Sequence, residues 1–204
     1  MRQYYRSIVM IICVLISVGC SSQESKSPTI SINAESEYVN TFEKLDLGLI
    51  FDFDFHLPNA DQTWVTLWVE KYSEGKKDTE PVAILSYGNS PSEVEEGLLG
   101  FGMLNQNTDD TAIFLYGPGV SIEPRNIDLL PESNLMSSWD YALQDDEKLE
   151  LQLGETKILA SYRETQGNGM STISLSSEEE VEKLIQDNDL VLLLKIKVEE
   201  RLAD

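Results

Sequence analysis

Thiols are nearly missing from this chain. Its two cysteines are Cys13 and Cys20, so residues 21–204 hold none. That excludes a cysteine nucleophile or a disulfide framework beyond residue 20. Histidine is rarer still, with His56 alone. A zinc site takes three or four ligands, usually His and Cys, and that supply is absent. A Ser-His-Asp centre would have to use His56, and no Gly-x-Ser-x-Gly elbow accompanies it. No Walker or dinucleotide-type glycine motif occurs, so no cofactor is expected. Cations are scarce: 15 Lys and Arg oppose 36 Asp and Glu, a net charge of -21. Nucleic-acid binding relies on Lys and Arg displacing counterions, so no nucleic-acid partner is expected. Electrostatic docking on anionic lipid is disfavoured for the same reason. There is no internal repeat and no low-complexity tract.

What is present suits one globular domain with a short leader. The 204 residues are 41% hydrophobic and 25% charged, enough for a real core. Arg2 and Arg6 precede a continuous apolar run from Ile8 to Ile16, and Ser17, Val18 and Gly19 lead to Cys20. The run is too short to span hydrocarbon as a helix, which takes about 20 residues. A charged start, a short apolar stretch and small residues at a junction read as a signal peptide. Gly19-Cys20 resembles the core of the bacterial lipoprotein signal, although Ser17 stands where that family usually has Leu. The resemblance implies that residues 1–19 are removed and that Cys20 carries lipid. The protein would then sit on the extracytoplasmic side of the cell membrane or outer membrane, held by that lipid. Two acyl chains anchor stably where one is marginal. Loss of Arg2 and Arg6 with the leader takes the charge from -21 to -23.

Residues 20–28 read as the lipidated cysteine and a flexible tether, because Ser21 to Pro28 is polar and aperiodic. Residues 29–204 read as a single β-rich domain. Leu45, Leu47, Leu49, Phe51, Phe53 and Phe55 alternate with Asp46, Gly48, Ile50, Asp52, Asp54 and His56. That period of two marks a strand with one buried face. Further strands are expected at 63–72, 82–87, 97–104, 111–116, 148–153, 157–162, 171–175 and 190–198. Gly100 and Gly102 suggest a bulge or a close backbone approach. Gly154 suggests a hairpin between 148–153 and 157–162, and Gly167-Asn168-Gly169 another turn. Ser90-Pro-Ser-Glu93 has the form of a capping box opening a short helix. Ser177-Glu-Glu-Glu180 opens a second, with Val181, Leu184 and Ile185 as its apolar stripe and Asn188 at its end. Residues 121–147 look like an irregular connection pinned by Trp139 and Tyr141. Eight to nine short strands with frequent turns predict a mainly antiparallel β-sandwich, or a barrel-like variant, with one or two short helices.

One candidate surface stands out. Val65, Leu67 and Val69 form an aliphatic face, and Trp64, Thr66, Trp68, Glu70 and Tyr72 a mixed one. If 45–56 and 63–72 pair as a hairpin, core must oppose core. Phe55 then meets Val65, and Phe53 meets Leu67. The outer face would gather Asp52, Asp54, His56, Trp64, Thr66, Trp68 and Tyr72. Rings beside carboxylates suit a sugar, whose apolar side stacks while its hydroxyls donate to the acids. Asp52 and Asp54 lie about 6.6 Å apart by strand rise, which falls near the range of either glycosidase geometry and so does not discriminate. They do not match the EF-hand calcium loop, and no metal site is expected. The sequence therefore predicts a non-enzymatic binding or interaction module at the cell envelope, with a glycan or protein partner. The alternatives are a polysaccharide hydrolase and a structural or assembly accessory.

Overall fold

The computed structural model describes residues 26–201, apart from 107, 109, 130–135, 145–146, 167–168, 171–173 and 176. The leader, Cys20 and most of the tether lie outside the described residues, as do most of the expected strand at 171–175 and part of the turn at 167–169.

Thirteen strands form two antiparallel sheets. The chain runs β1 (Thr29–Ile32), α1 (Glu37–Leu45), β2 (Gly48–Pro58), β3 (Thr63–Ser73), β4 (Lys76–Lys77) and β5 (Ala83–Gly88). It continues through β6 (Val94–Leu104), β7 (Ala112–Gly117), β8 (Val120–Ser121), β9 (Arg125–Asn126) and β10 (Met136–Tyr141). It ends with β11 (Leu149–Glu150), β12 (Thr156–Thr165), α2 (Glu178–Gln186) and β13 (Leu190–Glu200). The first sheet has the order β11-β1-β2-β6-β7-β8, with β9 also on β7. The second has the order β10-β12-β13-β3-β4, with β5 also on β3. Four strands are two-residue pairings, and nine are longer. The sheets stack face to face as a sandwich, with no closed barrel.

The core lies between them. Phe51, Phe53 and Phe55 of β2 and Leu99, Phe101 and Met103 of β6 face Val65, Leu67 and Val69 of β3. Leu192, Leu194 and Ile196 of β13 complete the opposite wall. Period-two alternation on each strand is what puts these side chains on one face.

The expected hairpin between β2 and β3 does not form. β2 pairs with β1 and β6, whereas β3 pairs with β5 and β13. The link is an arch that crosses between sheets through a 3-10 turn at Ala60–Gln62. A second arch, from β5 to β6, lies against it. Ala60 N–H donates to Glu93 O, and Ser90 N–H donates to Ala60 O, both at 2.9 Å. This is also why Ser90–Glu93 is not a helix. Ser90 Oγ takes the Ser92 N–H, two residues on, and Glu93 runs straight into β6. The expected hairpin at Gly154 fails in the same way: β11 pairs with β1, and β12 with β10 and β13.

Helix α2 begins where the sequence placed it. Ser177 Oγ accepts from Glu180 N–H, and the Glu180 carboxylate accepts from Ser177 Oγ. Its stripe of Val181, Leu184 and Ile185 packs on Val191, Leu193, Ile158 and Tyr72. Helix α1 and its end take Leu45 and Leu47 out of the expected strand, and both are exposed. Ser36 caps it by accepting from Val39 N–H, and Asp46 ends it in the left-handed conformation. The expected irregular stretch at 121–147 contains β8, β9 and β10. Tyr141 does pin it, standing edge-on to Phe51 and Phe53 at 5.2 and 5.3 Å. Trp139 does not, being 50% exposed.

Candidate functional site

Because β2 and β3 belong to different sheets, the seven candidate surface residues are divided. Asp52, Asp54 and His56 lie on the outer side of the first sheet. Trp64, Thr66, Trp68 and Tyr72 lie on the outer side of the second, across the whole sandwich. The seven residues therefore do not form one platform.

On the second sheet, Glu70 organises the outer face. Its buried carboxylate accepts from Trp68 Nε1 at 3.1 Å, Tyr72 Oη at 2.8 Å, Lys77 Nζ at 2.6 Å and Lys195 Nζ at 2.8 Å. Burial alone would raise its pKa. Donation from Lys195, Lys77, Trp68 and Tyr72 outweighs that and holds it down at about 2. Tyr72 is pushed the other way, first by burial and then by the Glu70 charge. Its ring lies in the α2 contact, so it is part of the packing there. Trp64 is half-buried with the Arg201 guanidinium 4.6 Å above its ring. Thr66 Oγ1 accepts from Ser86 Oγ at 3.3 Å, and Trp68 stands opposite Lys195.

On the first sheet, Asp52 is fully buried beneath the aromatic layer. Tyr116 Oη donates to its Oδ1 at 2.8 Å, and the Phe53 N–H does so at 3.1 Å. Burial raises the Asp52 pKa, opposed by the Ser36 hydroxyl, Tyr116 and the Phe53 N–H, and Asp54 adds a further push upward. A carboxylate sealed in this way is not open to a polysaccharide, so the Asp52 and Asp54 pair offers no accessible glycosidase geometry.

The layer over Asp52 is built on glycine. A Cβ at Gly100 would meet Tyr116 Oη at 2.4 Å and Phe51 O at 2.2 Å, and one at Gly102 would meet the Phe114 ring at 2.2 Å. The rings therefore lie directly on bare backbone, the close approach that these glycines suggested in the sequence. Tyr38 and Phe42 of α1 complete the layer, Tyr38 edge-on to Tyr116 at 5.7 Å and Phe42 at 6.1 Å from Phe114.

Between α1, β6 and the β7–β8 turn runs a groove of about 960 Å³. Tyr38, Phe42, Leu98, Tyr116, Pro118 and Val120 are among its walls. Its ionisable carboxylates are Glu37 and Glu96, and among the described residues no Lys or Arg lines it. Through Glu96, Gly97 and Leu98 it adjoins a smaller cleft of about 370 Å³ that holds Asp54 and His56. There His56 Nδ1 lies 2.6 Å from Glu96 Oε1, and Asn33 Nδ2 donates to Asp54 Oδ1 at 3.0 Å. Among the described residues no group of three or more His, Cys, Asp or Glu is placed to hold a metal ion. No described helix is long and apolar enough to cross a membrane.

The groove was missed in the sequence because its parts are scattered. Val39 and Phe42, three apart after Ser36, were an available sign of α1. Phe114 and Tyr116, alternating with Ile113 and Leu115, were an available sign of a second aromatic face. Nothing local showed that the helix and this strand meet. No curated protein and no solved structure matches the chain. The family model of the YgaN domain matches residues 40–198, from within α1 to within β13. The chain belongs to the YgaN domain family.

Proposed function

We propose that this protein is a lipid-anchored, extracytoplasmic binding module that holds its partner in the groove between α1 and the first sheet. One observation carries the reading: the aromatic-walled groove of about 960 Å³ on an outer sheet face. Concave, mainly apolar sites with a few polar groups are where proteins take ligands. The anchor rests on the resemblance of Gly19-Cys20 to the lipoprotein signal, and the tether lets the domain stand off the membrane. No catalytic role is assigned to the central aspartate, which is sealed.

Two measurements test this reading. Mass spectrometry of the native N-terminus should find acylated Cys20, and Cys20→Ser should release the protein from the membrane fraction. An unmodified N-terminus at another residue would remove the anchor. A photo-crosslinking residue at position 120 should give a discrete adduct in the intact envelope, whereas one at position 86 on the opposite sheet should not. Equal labelling from both positions would count against the groove. A second reading is a glycan platform on Trp64 and Trp68, favoured by their partly exposed rings on β3 outside the α2 contact. Glycan arrays with a folded Trp64→Ala/Trp68→Ala protein decide it, and unchanged binding would exclude that face.

A further inference from the structure

We infer that the groove and the adjoining cleft form one site for a polypeptide segment that carries a large apolar side chain next to Lys or Arg. This rests on the groove reading and names the partner's chemistry. Three observations combine. The groove offers aromatic and aliphatic walls, chiefly Tyr38, Phe42, Tyr116 and Val120, and these suit a bulky apolar side chain. Among the described residues, the formal charge lining the groove itself has one sign. Glu37 and Glu96 are its ionisable carboxylates, Asp54 lies in the cleft beyond, and the whole chain carries -21. A cationic partner is drawn to that field and an anionic one repelled. Glu96 is 70% exposed where groove and cleft join, and with its Oε1 against His56 Nδ1 its second oxygen can take an ammonium or guanidinium group.

The third observation comes from the cleft floor. Thr29 is 2% exposed, lines the cleft, and its Oγ1 has no hydrogen-bond partner among the described residues. A buried hydroxyl without a partner is costly, and a peptide amide or carbonyl in the cleft would satisfy it. Lys148 is the one cation lining the cleft, on the β11 side, with Thr29, Ser31, Asp54 and His56 between it and Glu96. A segment entering from the groove therefore meets Glu96 before Lys148. A fatty acyl chain would fill the apolar walls as well, but its carboxylate or phosphate head would face Glu37 and Glu96. Charge complementarity selects the basic peptide.

The test uses the full chain in neutral phosphatidylcholine vesicles. Its probes are short synthetic peptides with one Phe- and Leu-containing pattern and Lys, Ser or Glu at the flanking positions. The Lys peptide should bind about tenfold tighter than the Ser peptide, and the Glu peptide more weakly still. Glu37→Gln/Glu96→Gln should reduce Lys-peptide binding about tenfold and leave the Ser peptide unchanged. Val120→Trp, which fills the groove, should abolish all three. Thermal melts of each variant confirm folding, and the exposed Glu96→Gln alone serves if the others melt early. Equal binding of the three peptides, still abolished by Val120→Trp, would overturn the inference and leave the groove reading intact. Peptide binding insensitive to Val120→Trp would overturn both, whereas no peptide binding would overturn the inference and leave the groove reading to the crosslinking test. Preference for palmitic acid over every peptide would overturn the peptide partner in favour of lipid.

Discussion

Replacing Glu70 with glutamine removes one charge from a site where two lysines, an indole and a phenol converge. The carboxylate is 7% exposed, Lys195 is 17% exposed and Lys77 is 50% exposed. Its pKa falls from 4.5 unfolded to about 2 folded. At about 1.4 kcal/mol per tenfold, that difference corresponds to about 3 kcal/mol of stability in favour of the ionised native state. The unfolded chain binds this proton more readily, so the contribution is fully present above pH 4.5 and is lost as pH falls toward 2. Glutamine keeps the packing and can still accept from Lys195 or Trp68, so Glu70→Gln should cost about 2–3 kcal/mol near neutral pH. The pH dependence is the sharper test, because the other carboxylates titrate alike in both proteins. Urea unfolding at about pH 7, 5 and 3 should show the gap between wild type and variant shrinking by about 2 kcal/mol at the acid end. A gap that stays constant over that range would show that Glu70 is not held ionised by its donors, and the argument would fail.

Asp52 should behave in the opposite sense. Its folded pKa lies above 3.8, so the native state binds the proton more readily and stability falls as pH rises above that value. Asp52→Asn should therefore be neutral or stabilising by about 1 kcal/mol near neutral pH, since the amide oxygen still accepts from Tyr116. A loss of more than about 2 kcal/mol in urea unfolding would mean that the charge itself is needed. Gly100→Ala places a Cβ 2.2 Å from the Phe51 carbonyl and 2.4 Å from Tyr116 Oη. It should cost about 2–3 kcal/mol and lower the thermal midpoint. An alanine variant as stable as wild type would contradict the close seating of Tyr116 on β6.

Much of this architecture was legible along the chain. The alternation through Leu49, Phe51, Phe53 and Phe55, and the aliphatic row Val65, Leu67 and Val69, each identified a strand and its buried face. Ser177 with Glu180 marked a helix start, and Gly100 and Gly102 marked where another group approaches the backbone. These features depend on neighbours a few residues away, so local pattern suffices. The chain by itself thus determined a mainly antiparallel β fold, sandwich or barrel-like, with most of its core faces, a sparse supply of catalytic groups, and an acidic composition. Which strands are neighbours was a different matter. Phe53 and Leu67 belong to one core whether their strands pair edge to edge or stack face to face, so burial periodicity is the same in both arrangements. Only the tertiary structure distinguished them, through the Ala60, Ser90 and Glu93 backbone bonds that lock two arches together. That decision separated Asp52, Asp54 and His56 from Trp64 and Trp68. It also brought α1, far from β7 in sequence, onto the ring layer over Gly100 and Gly102. The groove exists because a helix and a strand about 70 residues apart share one sheet face, and no local pattern encodes that meeting.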